Sequence, residues 1–251
     1  MKKLLVILML LGAVAQESQA KIQAGVGIKV GPAFGRWNNY FLRGRLSTVG
    51  GTLGFQPGLH AGVQGRVWIN KFVGVNLAAE FNMVGNKFVG TQGTTITKVN
   101  HKENQLTIPL SVMVGWGNER MRMFGNFGGY FGYIFSGTDV TNVNRNGSET
   151  STGKIKSDYK DVYRNLDAGV RIGAGIQVYV DKKLRSCVTF DINYDYGMMT
   201  VFRGTAPSYF NKPEKLKIQN SKLMIGVGFL YTFGKSQAEE KPKRPTSVLS
   251  E

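Results

Sequence analysis

The sequence is poor in several residue types that would otherwise point to a function. It has one Cys and two His in 251 residues. A single Cys excludes a disulfide scaffold and a four-Cys zinc site, and the two isolated His show no metal-ligand spacing. Acidic residues are scarce, Asp+Glu 16 against Lys+Arg 32, for a formal charge of +16. After the first twenty residues no apolar run approaches the length of about eighteen that a transmembrane helix needs. Gly, by contrast, is abundant: 33 residues, roughly twice ordinary usage, with no Gly-X-Y period to account for it. With 42% hydrophobic and 11% aromatic residues the chain is too apolar for disorder, and its length allows one large domain or two small ones.

The start reads as a targeting segment. Met1-Lys2-Lys3 is a short positive stretch, Leu4 to Ala15 is an apolar run, and small residues follow as Ala13-x-Ala15 or Ser18-x-Ala20. This is the layout of a secretory signal peptide, expected over residues 1–20 with cleavage after Ala20. The chain is therefore expected to leave the cytoplasm.

From Lys21 onward the dominant signal is a period of two, which marks strands with one apolar face. Ile22, Ala24, Val26, Ile28 and Val30 alternate with Gln23, Gly25, Gly27, Lys29 and Gly31. Seven more such segments follow, among them Leu106 to Trp116, Leu166 to Val178 and Leu223 to Phe233. No charged residue falls on the apolar parity of any of the eight. Connections near 69–71, 117–120 and 181–183 are short, whereas 35–58, 84–103, 136–164 and 197–221 are long. The spacing predicts an all-β chain, an eight-stranded antiparallel up-and-down transmembrane β-barrel over residues 21–233. Residues 234–251 form a polar, Pro-containing segment expected to be a flexible periplasmic tail.

A soluble barrel would hide its apolar face inside, so the choice of face matters. Here the polar parity is rich in Gly, as a narrow lumen filled by side chains requires. Aromatics such as Phe34, Trp116, Tyr133, Tyr196 and Phe233 gather near the segment ends, where interfacial girdles sit. The strict alternation of long and short connections also favours a membrane barrel. Inward charges are then Lys29, Arg66, Arg122 and Arg171 against Glu80, Asp167, Asp191 and Asp195, a balance that predicts internal pairing. If the turns are symmetric about Lys182 and Asn70, Arg171 opposes Asn193, with Asp191 and Asp195 on its diagonals, and Glu80 opposes His60. The expectation is that Arg171 bridges Asp191 or Asp195 and that His60 meets Glu80 near the outer mouth, forming a lumen polar cluster.

The opening GVGIKVGPAF, the re-entry PGLHAGV, TIPLSV in the fourth segment, GAGIQVYV in the sixth and the closing GVGFLYTF resemble the small outer-membrane β-barrel proteins of Bacteroidetes, the PorT-like group. The closing segment is also similar to the assembly signal of such barrels, with Gly228, Tyr231 and Phe233 at matching positions. Gly226 stands where that signal usually has a polar residue, and Phe233 is not terminal. The resemblance covers the whole chain after the signal peptide. It implies integral residence in the outer membrane and, for the named member of the group, service to type IX protein secretion.

Other chemistries find little support. His60 has Glu80 as a neighbour but no Ser placed as a nucleophile, so no enzyme is expected, and neither cofactor nor metal is implied. Cys187 reads as a lone buried thiol. The long connections carry 15 basic residues, Arg43, Lys98 and Lys154 among them, against six acidic ones, which suits lipopolysaccharide phosphates or acidic glycans and equally a solvated surface without a ligand. Nucleic-acid binding is excluded by the compartment and by the lack of a recognition motif. The leading expectation is an accessory or assembly component of a surface or secretion complex. The alternatives are a small transport or permeability barrel, and an adhesin or lipid-binding barrel of the OmpX type.

Overall fold

A computed structural model describes residues 22–38, 51–118, 120–145, 148–155, 164–181, 183–200 and 219–233. The expected signal peptide, the expected tail and all four basic residues of the last long connection lie outside the described residues. Nine strands follow in chain order: β1 Gln23–Asn38, β2 Gly51–Trp68, β3 Val73–Gln92, β4 Thr95–Gly117, β5 Met121–Arg145, β6 Ser148–Ile155, β7 Leu166–Tyr179, β8 Ser186–Gly197 and β9 Gln219–Phe233. All pair antiparallel with their neighbours. β1 pairs with β9, and β4 with β5, so eight strands close into a ring. β6 lies outside the ring count and adds to the far end of β5. Among the described residues no helix is long and apolar enough to cross a membrane.

The faces follow the parity. Val26, Ile28, Leu110, Val112, Phe127, Ile172 and Val227 are exposed, while Lys29, Glu80, Arg171 and Asp195 are buried. A soluble protein could not leave such a belt in water, so the apolar side faces lipid.

The strands run far past the expected ends. Residues 84–103 were expected to be a connection, yet β3 and β4 continue through them to a tight turn at Gly93 (φ 59°). Residues 136–145 and 148–155 likewise pair as β5 and β6. The alternation fades there because beyond the bilayer both faces meet water, so nothing demands an apolar parity. Thr- and Val-rich stretches such as Thr95-Ile96-Thr97 still favour extended backbone. At roughly 3.3 Å per residue and ~45° tilt, the 25 residues of β5 reach about 60 Å, twice the ~30 Å apolar layer.

The three short turns share one device. Asn70 Oδ1 accepts from the N–H of Phe72 (2.8 Å) and Val73 (2.7 Å), and Asn118 Oδ1 from Arg120 (3.0 Å) and Met121 (2.8 Å). Asp181 Oδ1 accepts from Arg185 (2.7 Å) and Ser186 (2.8 Å). These donors, Ser186 first, hold the Asp181 carboxyl below the usual carboxylate range. An Asx acceptor caps from the first position of its turn, so each loop extends on the C-terminal side of that residue. This displaces the pairing centres. Arg171 faces Asp195 and not Asn193, and Glu80 faces Gly62 while His60 faces Asn82. A slip of two residues keeps every side chain on its expected face and changes only its partner.

Candidate functional site: the charged layer of the lumen

The inward residues stack in layers. Towards the short turns, Trp68, Met113 and Phe124 form one apolar plug, and Tyr179, Leu184, Cys187 and Leu230 another. Leu184 takes a positive φ of 54° to reach it. Cys187 is a buried free thiol inside this plug. The Arg66 guanidinium lies 4.4 Å over the Phe124 ring and that of Arg122 lies 4.3 Å over Trp68, so two of the inward cations are spent on aromatic faces. Arg66 also donates to Gln177 (3.1 Å).

The middle layer is ionic. β7 presents Arg171 directly across from Asp195 on β8, and Glu80 on β3 reaches it across the lumen. Arg171 Nε donates to Asp195 Oδ1 (2.6 Å) and Nη2 to Oδ2 (2.9 Å). Nη1 and Nη2 donate to Glu80 Oε1 and Oε2 (2.7 and 2.8 Å). The guanidinium fork thus clamps two carboxylates at once, which a Lys ammonium could not do. Lys29 Nζ sits 2.6 Å from Glu80 Oε1 and 3.9 Å from Asp191 Oδ1. Asn193 Nδ2 donates to Asp191 (2.5 Å) and Asn126 Nδ2 to Asn193 (3.0 Å).

Lys222 on β9 completes the layer. Its ammonium donates to Gln105 Oε1 (2.7 Å) and lies 3.6 Å from Asp167 and 3.7 Å from Asp195, with the Tyr130 ring beneath it at 4.5 Å. Gln105 Nε2 and the Tyr130 hydroxyl donate to Asp167. Lys222 was absent from the expected set of inward charges, although its parity matches Met224, Gly226 and Gly228. Glu103, expected in an exposed connection, is buried and accepts from Asn220 (2.8 Å).

The expected pairing of His60 with Glu80 does not form. His60 is buried, but neither ring nitrogen has a hydrogen-bond partner among the described residues. Its strand neighbour is Asn82, and the Glu80 oxygens are already held by Arg171 and Lys29. Gly226 faces Asp191 beside this ring. A Cβ there would stand 3.1 Å from Asp191 Oδ1 and 3.3 Å from His60 Nε2, which accounts for Gly at this position of the closing strand.

Above the ionic layer, Ala33, Val84 and Met224 form an apolar lid. A cavity of about 10 Å³ beside Lys29, Arg171 and Asp191 admits about one water. At the end of the barrel away from the short turns, His101 Nδ1 meets Asp139 Oδ1 (2.5 Å), Nε2 lies 3.6 Å from Glu103 Oε2, and the Trp37 ring packs at 5.0 Å. His101 lies on β4 beyond the lipid-facing stretch Leu106 to Trp116. Burial lowers its pKa, but the two carboxylates outweigh burial and push it up to about 9. No group of three or more His, Cys, Asp or Glu suited to a metal occurs among the described residues.

A closed antiparallel ring, lipid-facing apolar residues and a charge-paired interior agree with the family model that matches residues 14–203, the outer membrane protein beta-barrel domain. The chain belongs to that family. Outer-membrane residence and the eight-stranded barrel fold follow from it. Similar solved structures include Neisserial surface protein A, at 11% identity and a TM-score of 0.41, spanning 83% of this chain and 97% of the other. The attachment invasion locus protein Ail of Yersinia pestis is similar at 12% identity and a TM-score of 0.37, over 83% and 99% of the two chains. OprG of Pseudomonas aeruginosa is similar at 11% and 0.45, over 85% and 96%. No curated protein matches the sequence.

Proposed function

We propose that this outer-membrane barrel is a non-enzymatic component of a surface or protein-secretion complex, in the manner of the PorT-like group, and that it acts through its projecting hairpins. The observation that carries this reading is the ionic layer across the lumen. Among the described residues, Arg171, Glu80, Asp195 and Lys222 interlock in the mid-barrel between an apolar lid and two apolar plugs, and the cavity beside Arg171 has room for about one water. A lumen so filled leaves the long β3–β4 and β4–β5–β6 extensions as the parts able to meet another molecule. In this reading residues 1–20 are a cleaved signal peptide. The short turns and residues 234–251 face the periplasm, and the extensions face the exterior.

A photo-crosslinking residue at Thr52, Thr95 or Thr97 in living cells tests the proposal. A discrete protein adduct recovered from all three positions supports it. Adducts confined to lipopolysaccharide would instead favour the adhesin or lipid-binding reading, which the basic side chains of Lys87, Lys98, Lys102 and Arg145 on the extensions make the second choice. Steady single-channel conductance of the purified barrel in a planar bilayer would overturn both in favour of transport.

A further inference from the structure

The charges of the ionic layer do not close on themselves. Lys29, Arg171 and Lys222 bring three cations, whereas Glu80, Asp167, Asp191 and Asp195 bring four carboxylates, all of them buried. The fourth cation is Arg66 on β2, one layer nearer the short turns. Among the described residues it touches no carboxylate: Nη1 donates to Gln177, Nη2 to Gln64, and the guanidinium lies over Phe124. An aromatic face attracts a cation but brings no net charge, and a buried ion without a counter-charge is costly. Asp191 is the carboxylate whose charge acts most on Arg66.

Arg66 and Asp191 line the same cavity of about 10 Å³. Each keeps one buried polar atom without a hydrogen-bond partner among the described residues, the donor Nε of Arg66 and the acceptor Oδ2 of Asp191. Asp191 Oδ1 is already taken by Asn193. Two more lining residues share the condition, Gln64 through its donor Nε2 and Asn126 through its acceptor Oδ1. Asn76 Oδ1, a further unpartnered acceptor on the lining, faces Ser111 across β3 and β4, whose own hydroxyl is unpartnered. Two donors and two acceptors therefore remain around a space the size of one water, and a water can bond to four such groups. Ions suit it less. A cation would sit among Lys29, Arg66 and Arg171, and an anion against the Asp191 carboxylate.

We propose that this cavity binds one structural water, which accepts from Arg66 Nε and Gln64 Nε2 and donates to Asp191 Oδ2 and Asn126 Oδ1. The water makes Arg66 and Asp191 a solvent-bridged ion pair. With Arg66 included, the charges of the layer close at four against four. The bridge also ties β2 to β8 across the lumen, two strands that share no backbone pairing. The site does not rest on the proposed role of the hairpins.

The test is rotating-frame water–protein NMR on the full-length barrel in lipid nanodiscs, with 15N in the arginine side chains. The Arg66 Nε–H resonance, assigned by its contact with the Phe124 ring, should show a dipolar cross-peak to water. Such a peak is opposite in sign to one from proton exchange. A peak of exchange sign alone, or no peak, would overturn the proposal. Replacing sodium chloride by lithium bromide should leave the resonance in place; a shift would mean that the occupant is an ion, and would overturn it too. The pairing is read separately by unfolding Arg66→Met, Asp191→Asn and the double variant. The folding constant of the double variant should exceed the product of the two single effects by roughly tenfold. Independent, multiplying losses would overturn the pairing. The wild-type spectrum decides on the water even if a variant fails to fold.

Discussion

Arg171 donates four hydrogen bonds to two carboxylates in a buried layer with room for about one water beside it. Arg171→Ala should therefore cost roughly 3–5 kcal/mol, because it removes all four bonds and leaves buried Glu80 to Lys29 and buried Asp195 to the more distant Lys222. Urea unfolding in micelles reads this directly; a loss below 1 kcal/mol would mean the layer is hydrated. Much of this site was legible in the residues. Parity placed Arg171, Asp191, Asp195, Glu80 and His60 on one inward face, and charge balance implied pairing. Asp195 was one of the two partners expected for Arg171, and the two join; which of the two it would be depends on turn register, and the reach of Glu80 across the lumen depends on ring closure. Lys222 was readable from parity alone. His101 offers a residue-scale test in pH. Its folded pKa, raised to about 9, stabilises the fold fully below the unfolded value near 6.5. That contribution is lost as pH rises through 9. Stability should decline across this window by up to about 3 kcal/mol, and His101→Gln should flatten the decline.

Individual strands show why parity was the reliable signal and length was not. A buried or lipid-facing side imposes a period of two, so β4 was recognisable from Leu106 to Trp116, whereas Thr95–Lys102 carries only β-propensity and no apolar parity to mark a projecting strand. The lipid face of an element can be probed directly. Leu110→Arg, on the exposed side of β4, should cost roughly 2–4 kcal/mol near the bilayer centre, whereas Lys98→Glu on the projecting part of the same strand should change stability little. Comparable losses at both positions would place the bilayer in the wrong part of β4. The turns belong to the same scale. Asn70→Ala removes the one acceptor that takes both turn hydrogen bonds and should lower stability by about 1–2 kcal/mol, with Asn70→Asp restoring most of it.

At the scale of the molecule, side is the open variable that chemistry can read. With short turns inside, a protease added to intact cells should cut the extension near Lys154 and spare Lys183, and permeabilised cells should lose that protection. The reverse pattern would invert the barrel. Ring closure has a further consequence for how the chain reaches this state. Ala24 pairs with Phe233, near opposite ends of the barrel sequence, so the last seam forms only after every other strand exists. Contacts this distant in sequence make for slow folding, and an unfinished sheet carries two bare edges that invite other chains. The ionic layer shares that timing, because Lys29 comes from the first strand, Glu80 from the third, Arg171 and Asp195 from the seventh and eighth, and Lys222 from the last. In an unclosed intermediate these groups remain wetted and unmatched, so sealing the seam and drying the charges become a single cooperative event. Such an event leaves the nascent barrel dependent on a chaperone until its final strand arrives, and kinetically locked once it has.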